Sequence, residues 1–543
     1  VDAVMVRFSE ATQIADAIVD RGLRALGAAV GGGRVAVVNT LARPRAGLVE
    51  LDLPGDGSDD DGLVQTLATT PARVHVHTVT RADAPTVVER ELDIHLGAQR
   101  VDIAPADDGV LDVTIVVDPT DRRVPAFGAA IRRLRELAHE PGRAADPVRV
   151  WVDQPPSRRV LTRTPRIPGL AWRTWDDDAV EHVAPVCIDD DCTLANGVIT
   201  VSVDALDGTF GIDGHVGLGR LVDDGDEGDT YNFSPPAAQS VVDAPEEVEV
   251  EIVEEGPLRA QVAIVARYRW PSEIVDGERV GQEEVEVRTT LELRAGEAFV
   301  RVTTTLDNEC RDHRLRAWLP LPEPSNCSEA ECAFGTVERG LVAEGGETEV
   351  GLPTFPSRRF VRAGGLTVAH EGLLEYELVD IEGDGRSARA RSLALTMLRA
   401  TGWLSRGPMT YRPLPAGPVV ETPDAQVLGR HELRWAVSTA DIDPYEMVDE
   451  VFVPLLVARD VAPRPATAPD AAQLLDVSGA EVSAVLAEGG RPRVRLFNPS
   501  ADPVTVELGG RSGWLEDLAG RPIEPVDGSF DLPPRRIATL ALD

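Results

Sequence analysis

Apolar residues fall at helical spacing over the first 27 positions, at Val4, Val6, Phe8, Ile14, Ala17, Ile18, Leu23 and Leu26. That pattern predicts a helix ended by Gly27 and then Gly31-Gly32-Gly33. From Val35 the period changes to two. Val35-Ala36-Val37-Val38 and Leu48-Val49-Glu50-Leu51-Asp52-Leu53, separated by Arg43-Pro44-Arg45-Ala46-Gly47, read as strand, turn and strand. Strands resume at Arg73 to Val79, where His75 and His77 alternate with valines. Pro125 through Ala138 is the one long internal helix, with Ile131, Leu134 and Leu137 on one side and Arg132, Arg133, Arg135 and Glu136 on the other. From Gly197 to about Val437 strand follows strand, polar outward and apolar inward, as in antiparallel sheets with one wet face. Residues 443–459 include a short helix, and Val482 to Leu542 returns to strand and turn.

This pattern predicts a mainly β protein in four parts. They are a short helical segment over 1–31, a first β-sandwich domain with one helix over 32–165, a large antiparallel β super-sandwich over 190–460 and a small terminal β-sandwich over 470–543. The proline-rich stretches 154–169 and 462–469 read as linkers, and the acidic run 54–62 as a solvated loop.

Composition narrows the partners. There is no lysine, and 54 basic against 91 acidic residues leave a net charge of −37. A surface that negative repels phosphate backbones and anionic lipid heads, so the expected partners include neither nucleic acid nor a membrane. Loss of lysine follows equally from a high-GC genome and from adaptation to salt. No apolar run approaches the roughly 18 residues that span a bilayer, nor is there a basic then apolar leader, which makes a cytoplasmic location the expectation. Cys187 and Cys192 share the spacing of Cys327 and Cys332, but the gap is wider than that of common zinc sites, so they read as loop or core cysteines. His75-x-His77 could chelate from one strand face, yet no third ligand is evident.

Two polar clusters stand out. Asp223-Asp224-Gly225-Asp226-Glu227-Gly228-Asp229-Thr230-Tyr231-Asn232-Phe233 reads as a flexible acidic loop ending in aromatics. Carboxylates and amides grip sugar hydroxyls, while a ring offers the pyranose an apolar face. The alternative is a plain solvated loop, because no start in the run supplies the ligand order of a calcium loop. Asp307 to Arg316 contains Asp312-His313, but no Gly-x-Ser-x-Gly accompanies them and adjacent strand residues face opposite ways. Structural bonds at a strand end are therefore expected there.

Several phrases in order carry a resemblance. They are Asn39 to Arg45, Asp207-Gly208-Thr209-Phe210, Gly228 to Phe233, Asp307-Asn308 with Asp312 to Arg316, Phe334 to Arg339, Leu373 to Glu377 and Leu395 to Arg406. Together they resemble the carboxy-terminal half of the α-mannosidases of glycoside hydrolase family 38, in its bacterial, mannosylglycerate-hydrolase-like branch. The resemblance implies a retaining hydrolase in which one carboxylate attacks the anomeric carbon, a second acid group protonates the leaving oxygen and zinc holds sugar hydroxyls.

It also implies that the chemistry lies elsewhere. Family members carry their zinc ligands and nucleophile in an amino-terminal catalytic domain, and no His-x-Asp occurs here. No cofactor is expected in this chain, zinc being expected in the missing or separately encoded catalytic domain. The helix over 1–31 would be the remnant of the family's helical bundle. By motif match Tyr231 is similar to the family's pocket tyrosine and Arg339 to its pocket arginine, with Asp226 and Asp229 added as neighbouring contacts to a mannose-containing carbohydrate. No catalytic residue is expected in the chain. An exposed apolar patch is expected near residues 1–30 and around Tyr231. The alternative is a stand-alone carbohydrate-binding or scaffolding β protein.

Overall fold

The computed structural model describes residues 2–31, 33–55, 57, 64–95, 98–117, 127–175, 180–459, 465–488 and 490–543. Its α-helices among these are α1 (Asp2–Val30), α2 (Ala84–Ile94), α3 (Phe127–Ala138) and α4 (Pro444–Phe452). Nearly everything else that is regular is antiparallel strand.

Helix α1 runs past Gly27 to Val30, and only its last turns are packed, with Leu23, Leu26 and Val30 against Ala36, Ala458 and Trp172. Upstream, Phe8 is 64% exposed and Ile14 and Ile18 are 63% exposed. The expected apolar exposure near residues 1–30 is therefore present.

Strands Val35–Asn39 and Leu48–Pro54 both form but do not pair with each other. The first pairs with Ala171–Thr174 and Leu456–Arg459, the second with Ser157–Arg163. Arg45, in the turn between them, is buried and donates to the carbonyl oxygens of Asp449, Val453 and Pro454 at 3.2, 2.6 and 3.1 Å. It caps the end of α4, and that pull carries the turn away from a tight hairpin. The stretch 154–169 is no linker, because Ser157–Arg163 is a central strand paired on both sides. Its prolines flank that strand at 155, 156, 165 and 168, where they cost no ladder bond. Residues 56 and 58–62 of the acidic run, 125–126 ahead of α3 and 462–464 lie outside the described residues. Further on, the N–H groups of Thr467 and Ala468 donate to Ala29 at 2.7 and 2.9 Å and tie that segment to the end of α1.

Two helices, rather than the single one expected, cover a four-stranded sheet ordered Arg73–Thr80, Pro147–Asp153, Leu111–Val117, Ala98–Pro105. The crossover through α3 makes its middle pair parallel. Val88, Ile115, Leu134 and Val150 fill the layer between. A bulge separates His75 from His77. His77 Nε2 lies 3.0 Å from Glu91 Oε1 while His75 lies tilted against Trp151, ring centroids 4.9 Å apart, so the two imidazoles serve different neighbours.

The large unit contains a nine-stranded sheet and two five-stranded sheets that bury one core, including Trp270, Trp435, Phe210, Tyr376 and Leu395. Such side chains each contribute about 1.5–3 kcal/mol on burial. The last unit is one five-stranded sheet, bent by a bulge between Glu507 and Ser512, with Val494, Leu496, Val506 and Leu540 on its inner face.

Helix α4 starts at Asp443, whose carboxylate accepts the N–H of Tyr445 at 2.8 Å, followed by Pro444. Burial, with Glu297 and Glu446 nearby, pushes Glu450 up to about 7, and burial pushes Asp449 up to about 6 against Arg359 and Arg43. Both folded values exceed that of an unfolded carboxylate, near 4. The native state thus holds protons that the unfolded chain has released, and stability falls as pH rises from about 4 to 7. Glu450→Gln is expected to stabilise the protein by on the order of 1–3 kcal/mol at pH 8 and by almost nothing at pH 4. Melting curves at the two pH values check this.

Candidate functional site

The acidic run 223–233 is not a solvated loop. Asp223, Asp226 and Asp229 have no exposed surface and Asp224 is 6% exposed. Strand Arg220–Gly225 is the edge of one of the two five-stranded sheets and pairs with His313–Ser325, which brings Asp223 and Asp224 beside a basic strand. Neighbouring strand residues face opposite ways, so the two carboxylates serve different faces. Asp223 meets His313 Nδ1 at 2.6 Å and the buried guanidinium of Arg279. Asp224 accepts Arg314 Nε at 3.1 Å and Arg316 at 3.0 Å, and Arg314 lies 3.7 Å over the ring of Phe233. Burial opposes the charge on Arg314, but Asp224 and Glu377 outweigh it and hold its pKa above the ordinary value. Asp312 and His313 diverge as expected. Gln426 Nε2 donates to Asp312 at 2.7 Å, while His313 turns to Asp223 and, through Nε2, to Asn308 Oδ1 at 3.1 Å.

Past Gly225 the carboxylates organise the loop itself. Asp226 Oδ1 accepts the N–H groups of Gly228 and Ser234 at 2.9 and 3.1 Å, and Oδ2 takes Arg399 Nε at 2.6 Å. Burial pushes Asp226 above the ordinary carboxylate range in spite of Arg399. Gly228 is obligatory in this turn, since a Cβ there would stand 2.1 Å from Asn232 O. Asp229 Oδ1 accepts the N–H groups of Tyr231 and Asn232, each at 3.0 Å. Its Oδ2 takes Arg406 N–H at 2.8 Å and the guanidinium of Arg412. Burial opposes ionisation of Asp229, but those donors outweigh it and hold its carboxyl below the ordinary range. Arg412 also reaches Asn232 Oδ1 and lies 5.9 Å from the ring of Tyr231.

The product of this clamp is an exposed tyrosine. Tyr231 is 54% exposed and stands at the rim of a cleft of about 620 Å³ lined also by Asn232, Glu344, Glu349, Phe355 and Leu374. Asn232 Nδ2 donates to Glu349 at 2.7 Å across it. A Cβ on Gly417 would come within 3.1 Å of the Tyr231 hydroxyl, so a glycine lets that segment close against the ring. Arg339, on strand Gly335–Gly340, lies 5.1 Å over Phe355, and its buried Nε has no hydrogen-bond partner. It packs behind Phe355 and does not line the cleft. Leu374, 60% exposed, supplies the apolar surface expected near Tyr231.

Residues 194–403, which include this loop, match the family model described as the glycosyl hydrolases family 38 C-terminal domain. They form a family 38 C-terminal domain. A 261-residue segment, 44% of the chain, is 27% identical to a curated protein of Halalkalibacterium halodurans named "Putative mannosylglycerate hydrolase" and covers 26% of it. Over 99% of its length the chain has the fold of an alpha-mannosidase from Enterococcus faecalis V583, at TM-score 0.68, 16% identity and 60% of that chain. A family 38 protein from Enterococcus faecalis superposes similarly, at TM-score 0.67 and 16% identity over 62% of its chain. The chain thus spans less than two thirds of each of these relatives.

Of the four residues singled out in sequence, Tyr231 stands at the cleft rim, whereas Arg339 does not line the cleft and lies behind Phe355. Asp226 and Asp229 are different. Both are buried beneath the loop with their oxygens engaged by arginines and backbone N–H groups, so they shape the wall and do not face a ligand. Among the described residues no three His, Cys, Asp or Glu side chains converge as metal ligands, so they offer zinc no ligand set. Sequence reasoning missed Arg399 and Arg412, which share no local pattern with the aspartates they hold 173 and 183 residues away.

Proposed function

We propose that the chain is the β-rich portion of a retaining α-mannosidase-type glycoside hydrolase, forming one wall of its sugar cleft and supporting a zinc-bearing catalytic domain. The observation that carries this reading is Tyr231, held at the cleft rim by a loop whose every aspartate is consumed in fixing it. A rigid phenol beside Asn232 and Glu349 offers a pyranose an apolar face next to polar groups that fix its orientation. Arg339 backs this wall from behind Phe355, 5.1 Å over its ring, with its Nε buried. Three carboxylates line the cleft, Glu344, Glu349 and Glu375, and two of them are engaged, Glu349 with Asn232 and Glu375 with Thr396 at 2.8 Å, so we assign the acid and nucleophile pair to the catalytic domain. Hydrolysis by this chain alone is accordingly not expected. The exposed face of α1 is an apolar surface on which a neighbouring domain would dock.

The test combines turnover with binding. The purified chain is expected to release no aryl product from an aryl α-mannoside, with or without added zinc, while still binding methyl α-mannoside, and Tyr231→Ala is expected to weaken that binding at least tenfold. Zinc-dependent turnover, or binding unaffected by Tyr231→Ala, contradicts the proposal.

A further inference from the structure

A second cavity, of about 660 Å³, opens where three parts of the chain meet. Residues 41–44 come from the turn after the first strand, Phe334, Arg358, Arg359 and Asp449 from the large unit, and residues 477–483 with Phe497 from the terminal unit. A cavity of this size at a junction between units takes a drug-sized ligand. Much of its wall is apolar, with Pro44, Val482, Phe497 and Val504 among the lining residues. Phe334, 39% exposed, also lines it, at the tip of the hairpin between Cys327–Cys332 and Gly335–Gly340. Its φ of 63° is a left-handed conformation that a bulky aromatic residue adopts only under constraint. Edge contact with Phe497, ring centroids 5.7 Å apart, and the bonds from Arg535 Nη1 to Thr336 O and Oγ1 at 3.2 and 2.9 Å hold the turn in place.

The polar end of the cavity is unfinished. Asp449 lies between two guanidiniums, 3.8 Å from Arg43 Nε and 3.9 Å from Arg359 Nη1, and its side chain is 16% exposed. Both separations exceed hydrogen-bond length, and none of the described residues bonds either carboxylate oxygen. Arg43 gives its other nitrogens to Glu481 and, at 3.1 Å, to Asp443. Arg359 gives Nε and Nη2 to the buried Glu331 at 2.8 and 2.6 Å, and Arg358 reaches the same carboxylate at 3.0 Å. A hydroxyl inserted beside Asp449 would donate to the carboxylate and accept from a guanidinium, closing both gaps at once. The charges also select the ligand. Arg43, Arg358 and Arg359 stand against Glu331, Asp449 and Glu481, so a cation or an anion entering here meets a like charge, whereas a neutral molecule rich in hydroxyls does not. The part-exposed ring of Phe334 supplies what a sugar needs besides, because a pyranose joins an apolar C–H face to a hydroxyl edge.

We propose that this cavity binds a neutral disaccharide, its apolar faces against Phe334 and its hydroxyls bridging Asp449 to the guanidiniums of Arg43 and Arg359. The site is separate from the Tyr231 cleft and does not rest on the reading of that cleft. Because all three parts of the chain line it, an occupant would hold the terminal unit against the rest.

Calorimetric titration of the full chain tests it, with Tyr231→Ala in every sample so that the first cleft does not contribute. Maltose, cellobiose and an α-1,2-linked mannobiose are the probes. At least one is expected to bind saturably at one site per chain. Against that probe Phe334→Ala should weaken affinity at least fivefold, and Phe334→Tyr, which keeps the ring, less than twofold. Asp449→Ala should also weaken it at least fivefold. Analogues of the same disaccharide carrying an ammonium in place of one hydroxyl, or a carboxylate in place of one hydroxymethyl, should each bind at least fivefold more weakly. Melting curves of the variants that match the Tyr231→Ala parent show that the junction is intact. Binding of none of the three probes, affinity unchanged in Phe334→Ala or in Asp449→Ala, or a charged analogue that binds as tightly as the neutral sugar overturns the proposal.

Discussion

Asp224→Ala is expected to destabilise the large β unit by about 3–5 kcal/mol. The carboxylate is nearly inaccessible and receives Arg314 at 2.9 and 3.1 Å and Arg316 at 3.0 Å. Without it two buried guanidiniums face each other, with Glu377, 2.9 Å from Arg316, as the remaining counter-charge. Arg316 already has its pKa lowered, first by burial and then by Arg314. Asp224→Asn, which keeps the shape and removes the charge, should lose most of the same stability. Asp20→Ala is the contrast. Its pair with Arg24 has side chains 55% and 78% exposed, and such pairs are worth at most about 1 kcal/mol. Denaturant unfolding followed by tryptophan fluorescence compares the three, and an Asp224→Ala loss no larger than that of Asp20→Ala would mean that the buried network carries no stability.

The second large effect belongs to Asp229. Asp229→Ala removes the acceptor for three backbone N–H groups and for Arg412, whose side chain is only 4% exposed. Unsatisfied donors and a buried unpaired charge together cost about 2–4 kcal/mol. More to the point, the turn that aims Tyr231 loses its hub, so sugar binding should fall at least tenfold although Asp229 itself touches no ligand. Tyr231→Phe separates the two effects. It should leave stability within about 0.5 kcal/mol, as an exposed substitution does, and weaken binding only by the lost hydroxyl contact. Calorimetric titration with methyl α-mannoside, beside unfolding curves, reads both.

How far the fold is legible in the sequence depends on what decides each element. Strands such as Val300–Asn308 alternate cleanly because one face meets the core, and the pattern alone finds them. Helix α3 announces itself through Ile131, Leu134 and Leu137. Helix α2 does not, because its Thr86-Val87-Val88 start is β-branched and only packing against the sheet makes it helical. The stretch 154–169 looks like a linker for the opposite reason, since its prolines conceal a strand whose partners are remote.

At the site the aromatic end of the run 223–233, with Tyr231, is legible in the sequence, but its acidity misleads. Carboxylates on a local scale mean water; here each has an arginine or histidine partner between 56 and 183 residues away. A chain whose only basic side chain other than histidine is arginine can bury carboxylates in this way, because the planar guanidinium satisfies two oxygens or two chains at once. Periodicity carries no trace of such pairs.

The most direct measurement uses the five tyrosines. Incorporation of 3-fluorotyrosine gives each its own ¹⁹F resonance, assigned by single Tyr→Phe variants, and methyl α-mannoside is titrated in. If the buried aspartates exist to present Tyr231 to a sugar, its resonance should move with saturation, the other four should stay fixed, and the shift should vanish in Asp229→Ala. A titration in which Tyr231 does not move, or moves unchanged once Asp229 is gone, would contradict it.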